Sequence, residues 1–150
     1  MDGEIKNKVV LVTGASSGIG KAISIEFALR QGKMALVGRN ANALMELKQY
    51  IQDANGSAEI FPFDLSEVSK IPQLIKEIEN HFGDSVSLLI NNAGISVAGN
   101  VEDVPLDEFS NVMRINYLAP LAMIKAVIPS MKINRRGKII NISSGCGQRG

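Results

Sequence analysis

An α/β doubly wound parallel sheet with helices on both faces is the fold class that this 150-residue sequence predicts, and three observations carry it. Strand-like apolar runs and amphipathic helical runs alternate along the chain, the pattern of a parallel sheet joined by crossover helices. The first run, Val9-Val10-Leu11-Val12, is apolar at consecutive positions rather than at every second one, as in a strand covered on both faces. Directly after it stands Thr13-Gly14-Ala15-Ser16-Ser17-Gly18-Ile19-Gly20, a glycine turn between strand and helix. Right-handed crossovers then give the strand order 3-2-1-4-5. A ligand crevice is expected at the carboxyl ends of strands one and four, where that order reverses.

Each element has its own justification. The first strand is expected over residues 8–12. A side chain at Gly14 would crowd the turn, and Gly18 and Gly20 let a ligand and the strand approach the first helical turn closely. The helix N-terminus offers unpaired N–H groups and the positive end of its dipole, which suits a pyrophosphate. Ile19, Ile23 and Phe27 recur at four-residue steps in that helix, with Ala22, Ile25 and Leu29 beside them. This face is expected to be buried, with Lys21, Ser24 and Arg30 toward water and Gly32 as the stop. A second strand is expected over 34–37, closing on Gly38-Arg39-Asn40. The second helix spans about 41–54, with Leu44, Leu47 and Ile51 on one face and Gly56 as its stop. The third strand is expected over 58–63, ending on Asp64-Leu65. Val68, Ile71, Ile75, Ile78 and Phe82 follow at helical spacing, and Pro72 requires the regular helix to start near Ser69 or later. The fourth strand is expected over 86–90, before Asn91-Asn92-Ala93-Gly94. A long helical pattern covers 107–131, with Phe109, Met113, Tyr117, Leu121, Ile124 and Ile128 near one face. The fifth strand is expected over 138–142, ending on Ser143-Ser144.

Composition narrows the function classes. The length suffices for one domain with a real core, spanning residues 1–150. A net charge of +1 gives no electrostatic footprint for nucleic acid. No apolar run reads as a membrane-spanning segment, and the N-terminus carries no apolar signal region. The single cysteine, Cys146, excludes an internal disulfide framework, and the expected location is cytoplasmic. It has neither a nearby His nor a CxxC partner and reads as a plain free thiol. No metal-ligating cluster stands out. His81 reads as a partly charged imidazole at a helix C-terminus rather than a catalytic group, and the charges of residues 132–138 as a solvated helix end.

The sequence resembles the classical short-chain dehydrogenases/reductases, a Rossmann-type family. The resemblance runs through essentially all 150 residues. Its markers are Thr13-Gly14-Ala15-Ser16-Ser17-Gly18-Ile19-Gly20, Asp64-Leu65, Asn91-Asn92-Ala93-Gly94, Asn116 within Arg114-Ile115-Asn116-Tyr117, and Asn141-Ile142-Ser143-Ser144. The resemblance implies that Ser16, Ser17 and Ile19 line a cofactor diphosphate, beside Gly14, Gly18 and Gly20. It also implies that Asp64 and Leu65 border the adenine and that Asn92, Ala93 and Gly94 contact the ribose side. An aspartate at position 64 also suits a turn or a helix cap. Cofactor choice has a physical argument. An NAD site places a carboxylate near the end of the second strand, whereas here Arg39 follows Gly38 with no acid. Arg39 can bind a 2′-phosphate in a forked geometry, so NADP(H) is the expected cofactor; the alternative is a solvated arginine.

The implied activity is hydride transfer between nicotinamide and a small-molecule alcohol or carbonyl substrate. In this family a tyrosine and a lysine four residues later carry the proton chemistry, aided by a serine and an asparagine. Ser144 matches the serine and Asn116 the asparagine. No Tyr-x-x-x-Lys occurs here, since Tyr50 is followed by Ala54 and Tyr117 by Leu121. The pair is expected just beyond Gly150, and without it the general-acid role, on the order of 10²–10⁴ in rate, is missing. A non-catalytic dinucleotide-binding short form or an inert truncation product is the alternative. Pro120 cannot donate to the carbonyl of residue 116, which either frees that carbonyl for a water or simply marks a helix break. Ser144 also suits a plain turn. The resemblance further implies a homo-oligomer for the full-length form, with later elements covering the fifth strand and the long helix. In their absence a sheet edge and an apolar helix face are expected to be exposed.

Overall fold

The computed structural model describes residues 5–144; Cys146 lies outside them. Five strands, β1 (Val9–Thr13), β2 (Lys33–Gly38), β3 (Ser57–Pro62), β4 (Val86–Asn91) and β5 (Lys138–Asn141), form one sheet in the order β3-β2-β1-β4-β5. Every pairing is parallel. The crossovers are α1 (Gly18–Leu29), α2 (Ala41–Asp53) and α3 (Ile71–Phe82), and then a continuous run of α4 (Leu106–Met113), a π turn (Arg114–Leu118) and α5 (Ala119–Ile133). The expected architecture and strand order are the observed ones.

Two cores follow from the alternation of side chains along the strands. Val9, Leu11, Ala35, Val37 and Leu89 meet Ile71, Ile75 and Ile78 of α3 and Ala119, Met123 and Val127 of α5 on one face. Val10, Val12, Met34, Leu36 and Ile90 meet Leu44, Leu47 and Ile51 of α2 and Ala28 of α1 on the other. All of β1 is buried, which is why its apolar run is uninterrupted. Pro72 falls in the first turn of α3 after a short 3-10 turn (Val68–Lys70), where no helical N–H is lost.

Four expectations change. The buried residues of α1 are Gly20, Ser24 and Ala28, whereas Ile19 and Leu29 are exposed. Small side chains let the helix lie close on the sheet, and Ser24 satisfies its hydroxyl by donating to the Gly20 carbonyl at 2.7 Å. The long helix likewise buries Ile115, Ala119, Met123, Val127 and Met131, and leaves Met113, Tyr117 and Leu121 exposed. The stops of α1 and α2 also differ. Gln31 and Asn55 take the left-handed conformation, and Gly32 and Gly56 provide room: a Cβ would meet the Phe27 carbonyl oxygen at 2.9 Å and Ile51 Cγ2 at 2.7 Å. Finally, the 28-residue run Leu106–Ile133 is long and apolar enough, by length and composition, to cross a membrane. Four residues of α5 pack into the core of the sheet, and Met113, Tyr117 and Leu121 leave a second apolar face exposed.

The solvated helix end is only part of the account at residues 132–138. Arg136 pairs with Asp84, and Asn134 Nδ2 donates to Ser85 Oγ at 3.0 Å, so the C-terminus of α5 is tied to the start of β4. β5 is the least covered strand, with only Ile139 packed in part against the core. Among the described residues nothing pairs with its outer edge.

Candidate functional site

The carboxyl ends of β1 and β4 meet at the point where the strand order reverses, and a hydrogen-bonded clamp joins them. Thr13 ends β1 almost wholly buried. Its hydroxyl donates to the Ile90 carbonyl at 3.4 Å and accepts the N–H groups of Asn92 at 3.0 Å and Ala93 at 3.1 Å. The Asn92 amide returns across the gap, with Nδ2 donating to the carbonyls of Thr13 at 3.0 Å and Gly14 at 3.3 Å. Gly14 has φ +66°, and a Cβ there would stand 3.0 Å from Ala93 Cα. Gly20 is tighter still, since its Cβ would be 2.3 Å from the Gly14 carbonyl oxygen. The glycines let the turn, the helix start and the end of β4 occupy one small volume. Ala15 N–H donates to the Val37 carbonyl at 3.1 Å and brings the end of β2 to the same place.

Above this clamp lies a cleft of about 580 Å³. Of the twelve residues expected to hold a cofactor, Gly14, Ser16, Ser17, Gly18, Ile19, Arg39, Asp64, Leu65, Asn92, Ala93 and Gly94 line it. Gly20 alone is set beneath the turn. The sequence reading missed Asn40, whose Oδ1 caps α2 by accepting Ala43 N–H at 3.1 Å. The signal was present in Asn40-Ala41, an N-cap residue just ahead of a helical run. Ser17 is the N-cap of α1 and makes no side-chain cap bond, so the N–H groups of the first turn stay directed at the cleft.

Asp64 does what a turn aspartate does and lines the cleft as well. Its Oδ1 accepts Ser66 N–H at 2.9 Å. That bond and the Ser66 hydroxyl hold the carboxyl below its ordinary range, burial pushes weakly the other way, and the positive charge of Arg39 adds to the lowering. Arg39 and Asp64 thus sense one another across the same cleft.

A second cavity of about 600 Å³ opens on the β5 side of the Asn92-Ala93-Gly94 turn. Asn116 and Ser144, the two expected catalytic positions, both line it. Asn116 sits within the π turn, where Ala119 N–H donates five residues back to the Arg114 carbonyl. Its amide braces the loop after β4, with Nδ2 donating to the Ile95 carbonyl at 2.7 Å and Oδ1 accepting Ile95 N–H at 2.9 Å. Pro120 stands in the first turn of α5, so the irregularity is a π turn rather than a plain break. His81 is far from this chemistry. It ends α3 with its ring edge-on to Phe61 and Phe82, and Nε2 lies 3.7 Å from Glu59 Oε2. Among the described residues no cluster of side chains suits a metal ion.

The family model described as short chain dehydrogenase matches residues 8–150. The chain belongs to that family of oxidoreductases. A dehydrogenase/reductase SDR family member 7B from Rattus norvegicus is 41% identical over 146 residues, which cover 93% of this chain and 45% of that protein. The crystal structure of a metagenomic short-chain oxidoreductase in complex with NADP superposes with a TM-score of 0.88 at 32% identity, over 94% of this chain and 64% of the other. An NAD+-bound xylitol dehydrogenase gives 0.90 at 30% identity, over 98% and 56%. The chain spans about half the length of the curated relatives it matches.

Proposed function

We propose that this chain forms the NADP(H)-binding part of an oxidoreductase that transfers hydride between nicotinamide and a carbonyl or alcohol substrate. The observation that carries the reading is the 580 Å³ cleft over the glycine turn, with Arg39 at the end of β2 where an NAD site would hold a carboxylate. The volume lies within the range of cofactor pockets. A Cβ at Gly18 would meet nothing within 4 Å, so the turn presents an open cradle to a ligand rather than a packed contact. Ser16, Ser17 and the first-turn N–H groups of α1 hold the diphosphate. Asp64 and Leu65 border the adenine, and Asn92, Ala93 and Gly94 the ribose side. Arg39 binds the 2′-phosphate, and NADP in one similar structure supports that choice, while NAD+ in another makes it the point to test. When bound, the nicotinamide supplies or accepts the hydride. Ser144 hydrogen-bonds the reacting oxygen, and Asn116 lines the same cavity. The general acid is proposed to be a tyrosine, and no Tyr-x-x-x-Lys stands within these 150 residues.

Calorimetric titration with NADPH and NADH tests the cofactor. NADPH is expected to bind more tightly. Arg39→Ala is expected to weaken NADPH about 10- to 100-fold, the value of a lost charge-assisted pair, and to leave NADH nearly unchanged. Equal affinities for the two nucleotides, or equal losses in the variant, would refute the assignment.

A further inference from the structure

β4 and β5 end on asparagines that face one another. Asn91 and Asn141 are partners in the parallel register, and Asn91 Nδ2 donates to Asn141 Oδ1 at 2.9 Å. One residue on, Ile142 N–H donates to the Asn91 carbonyl at 2.8 Å. Asn91 is buried, a position where an amide is held only if its partner is supplied. β5, by contrast, is poorly covered, and packing gives its carboxyl end little direction. The paired amides, together with the Ile142–Asn91 backbone bond, therefore help to fix where the chain leaves the strand. That exit carries Ser143 and Ser144 along the wall of the second cavity, beside Asn92-Ala93-Gly94.

We propose that Asn141, gripped by Asn91, is a positioning residue that sets Ser144 in the second cavity and acts on the reaction only through that turn. The proposal rests on the oxidoreductase reading above for its chemistry, but not for its geometry. Two substitutions separate the bond from the bulk: Asn141→Leu keeps the size and loses the acceptor, whereas Asn141→Asp keeps an oxygen for Asn91 Nδ2. Amide hydrogen exchange in the full-length protein reads the geometry. Exchange at Ile142, Ser143 and Ser144 is expected to quicken roughly five- to tenfold in Asn141→Leu, the scale of one hydrogen bond, with Leu11 and Leu36 unmoved and Asn141→Asp restoring protection. NADPH-dependent carbonyl reduction reads the consequence. A drop in kcat of the same size is expected in Asn141→Leu at an unchanged KM for NADPH, again recovered by Asn141→Asp. Unaltered exchange in Asn141→Leu, a loss that Asn141→Asp shares, or a loss confined to the NADPH KM would overturn the proposal. Failure of the unsubstituted protein to bind either NADPH or NADH would instead refute the oxidoreductase reading, and the exchange comparison would still decide the role of Asn141.

Discussion

Gly20→Ala should destabilise this chain, although the same change in an ordinary exposed helix stabilises it. The usual gain is about 1 kcal/mol, from the lower backbone entropy of alanine. Here the new Cβ would lie 2.3 Å from the Gly14 carbonyl oxygen and 2.5 Å from Asn92 Nδ2. A comfortable carbon–oxygen contact is about 3.3 Å, so the turn or the helix must retreat by about 1 Å. Overpacking of this kind costs about 1–3 kcal/mol. The retreat also stretches the bonds from Asn92 to the Thr13 and Gly14 carbonyls, worth about 1 kcal/mol more. Set against the helix gain, the net loss is about 2 kcal/mol, or about 4–8 °C in melting temperature for a chain of this size. Urea denaturation and thermal melts monitored by circular dichroism measure it directly. On the proposed cofactor reading, NADPH affinity should fall in parallel, because the displaced carbonyl belongs to the turn proposed to hold the diphosphate. A Gly20→Ala chain that melts at or above the unsubstituted one would refute the close-approach argument. Repeating the change in an Asn92→Ala background should lessen the penalty, since one of the three clashing atoms is gone.

Thr13→Val removes the acceptor for Asn92 and Ala93 N–H. It should lower stability by about 1–3 kcal/mol in urea titrations, with β4 amides near residue 92 exchanging faster. Acid should destabilise the fold through Glu59 and Asp64. Burial raises the Glu59 carboxyl, but the Lys48 hydrogen bond, Ile60 N–H and the charges of Lys48 and His81 together hold it below its ordinary 4.5, and Asp64 lies below 3.8. Both contributions are complete above those ordinary values and are lost as pH falls through the depressed ones. Melts between pH 6 and roughly pH 2 should therefore show a decline at the acid end that Glu59→Gln reduces. The exposed Met113, Tyr117 and Leu121 should make the 150-residue chain bind an apolar dye and self-associate; sedimentation showing only a dye-silent monomer would count against this.

How much of the molecule was legible depends on what each signal measured. The glycine turn, Asp64-Leu65, Asn92-Ala93-Gly94, Asn116 and Ser144 were legible as cavity-lining positions, because each motif is recognisable by residue type and the parallel topology brings them to one end of the sheet. The buried faces of α1 and the long helix were not. In α1 the period selected Ile19, Ile23 and Phe27, and Ile23 and Phe27 pack in part against the core, yet the fully buried stripe is Gly20, Ser24 and Ala28, one position along. Closeness to a parallel sheet rewards small side chains, and a hydrophobicity pattern does not register that. The long helix is apolar nearly all round, so periodicity alone names no single face. The π turn at Arg114–Leu118 then inserts an extra residue and rotates Phe109 and Met113 out of phase with everything after it. The Thr13–Asn92 clamp was illegible for another reason, since it joins residues 79 apart through the register of β1 and β4.

At Asp64 and Asn116 the structure gives one side chain both a structural bond and a place on a cavity wall. Asp64 holds a turn through Ser66 N–H while its carboxyl faces the cleft and Arg39. Asn116 braces Ile95 with both ends of its amide and still lines the second cavity. A side chain already committed to a structural bond has few rotamers left, so ordering it around a ligand costs little further entropy. Structural duty is therefore how these groups come to be aimed before anything binds. Arg39 is the contrast: an exposed side chain on a long stem, held among the described residues by no hydrogen bond or ion pair and influenced only by the nearby charge of Asp64. Its contribution should depend on ionic strength in a way that those of Asp64 and Asn116 do not. If Arg39 holds the 2′-phosphate as proposed, raising salt should erode the preference for NADPH over NADH while leaving the affinity for NADH in place.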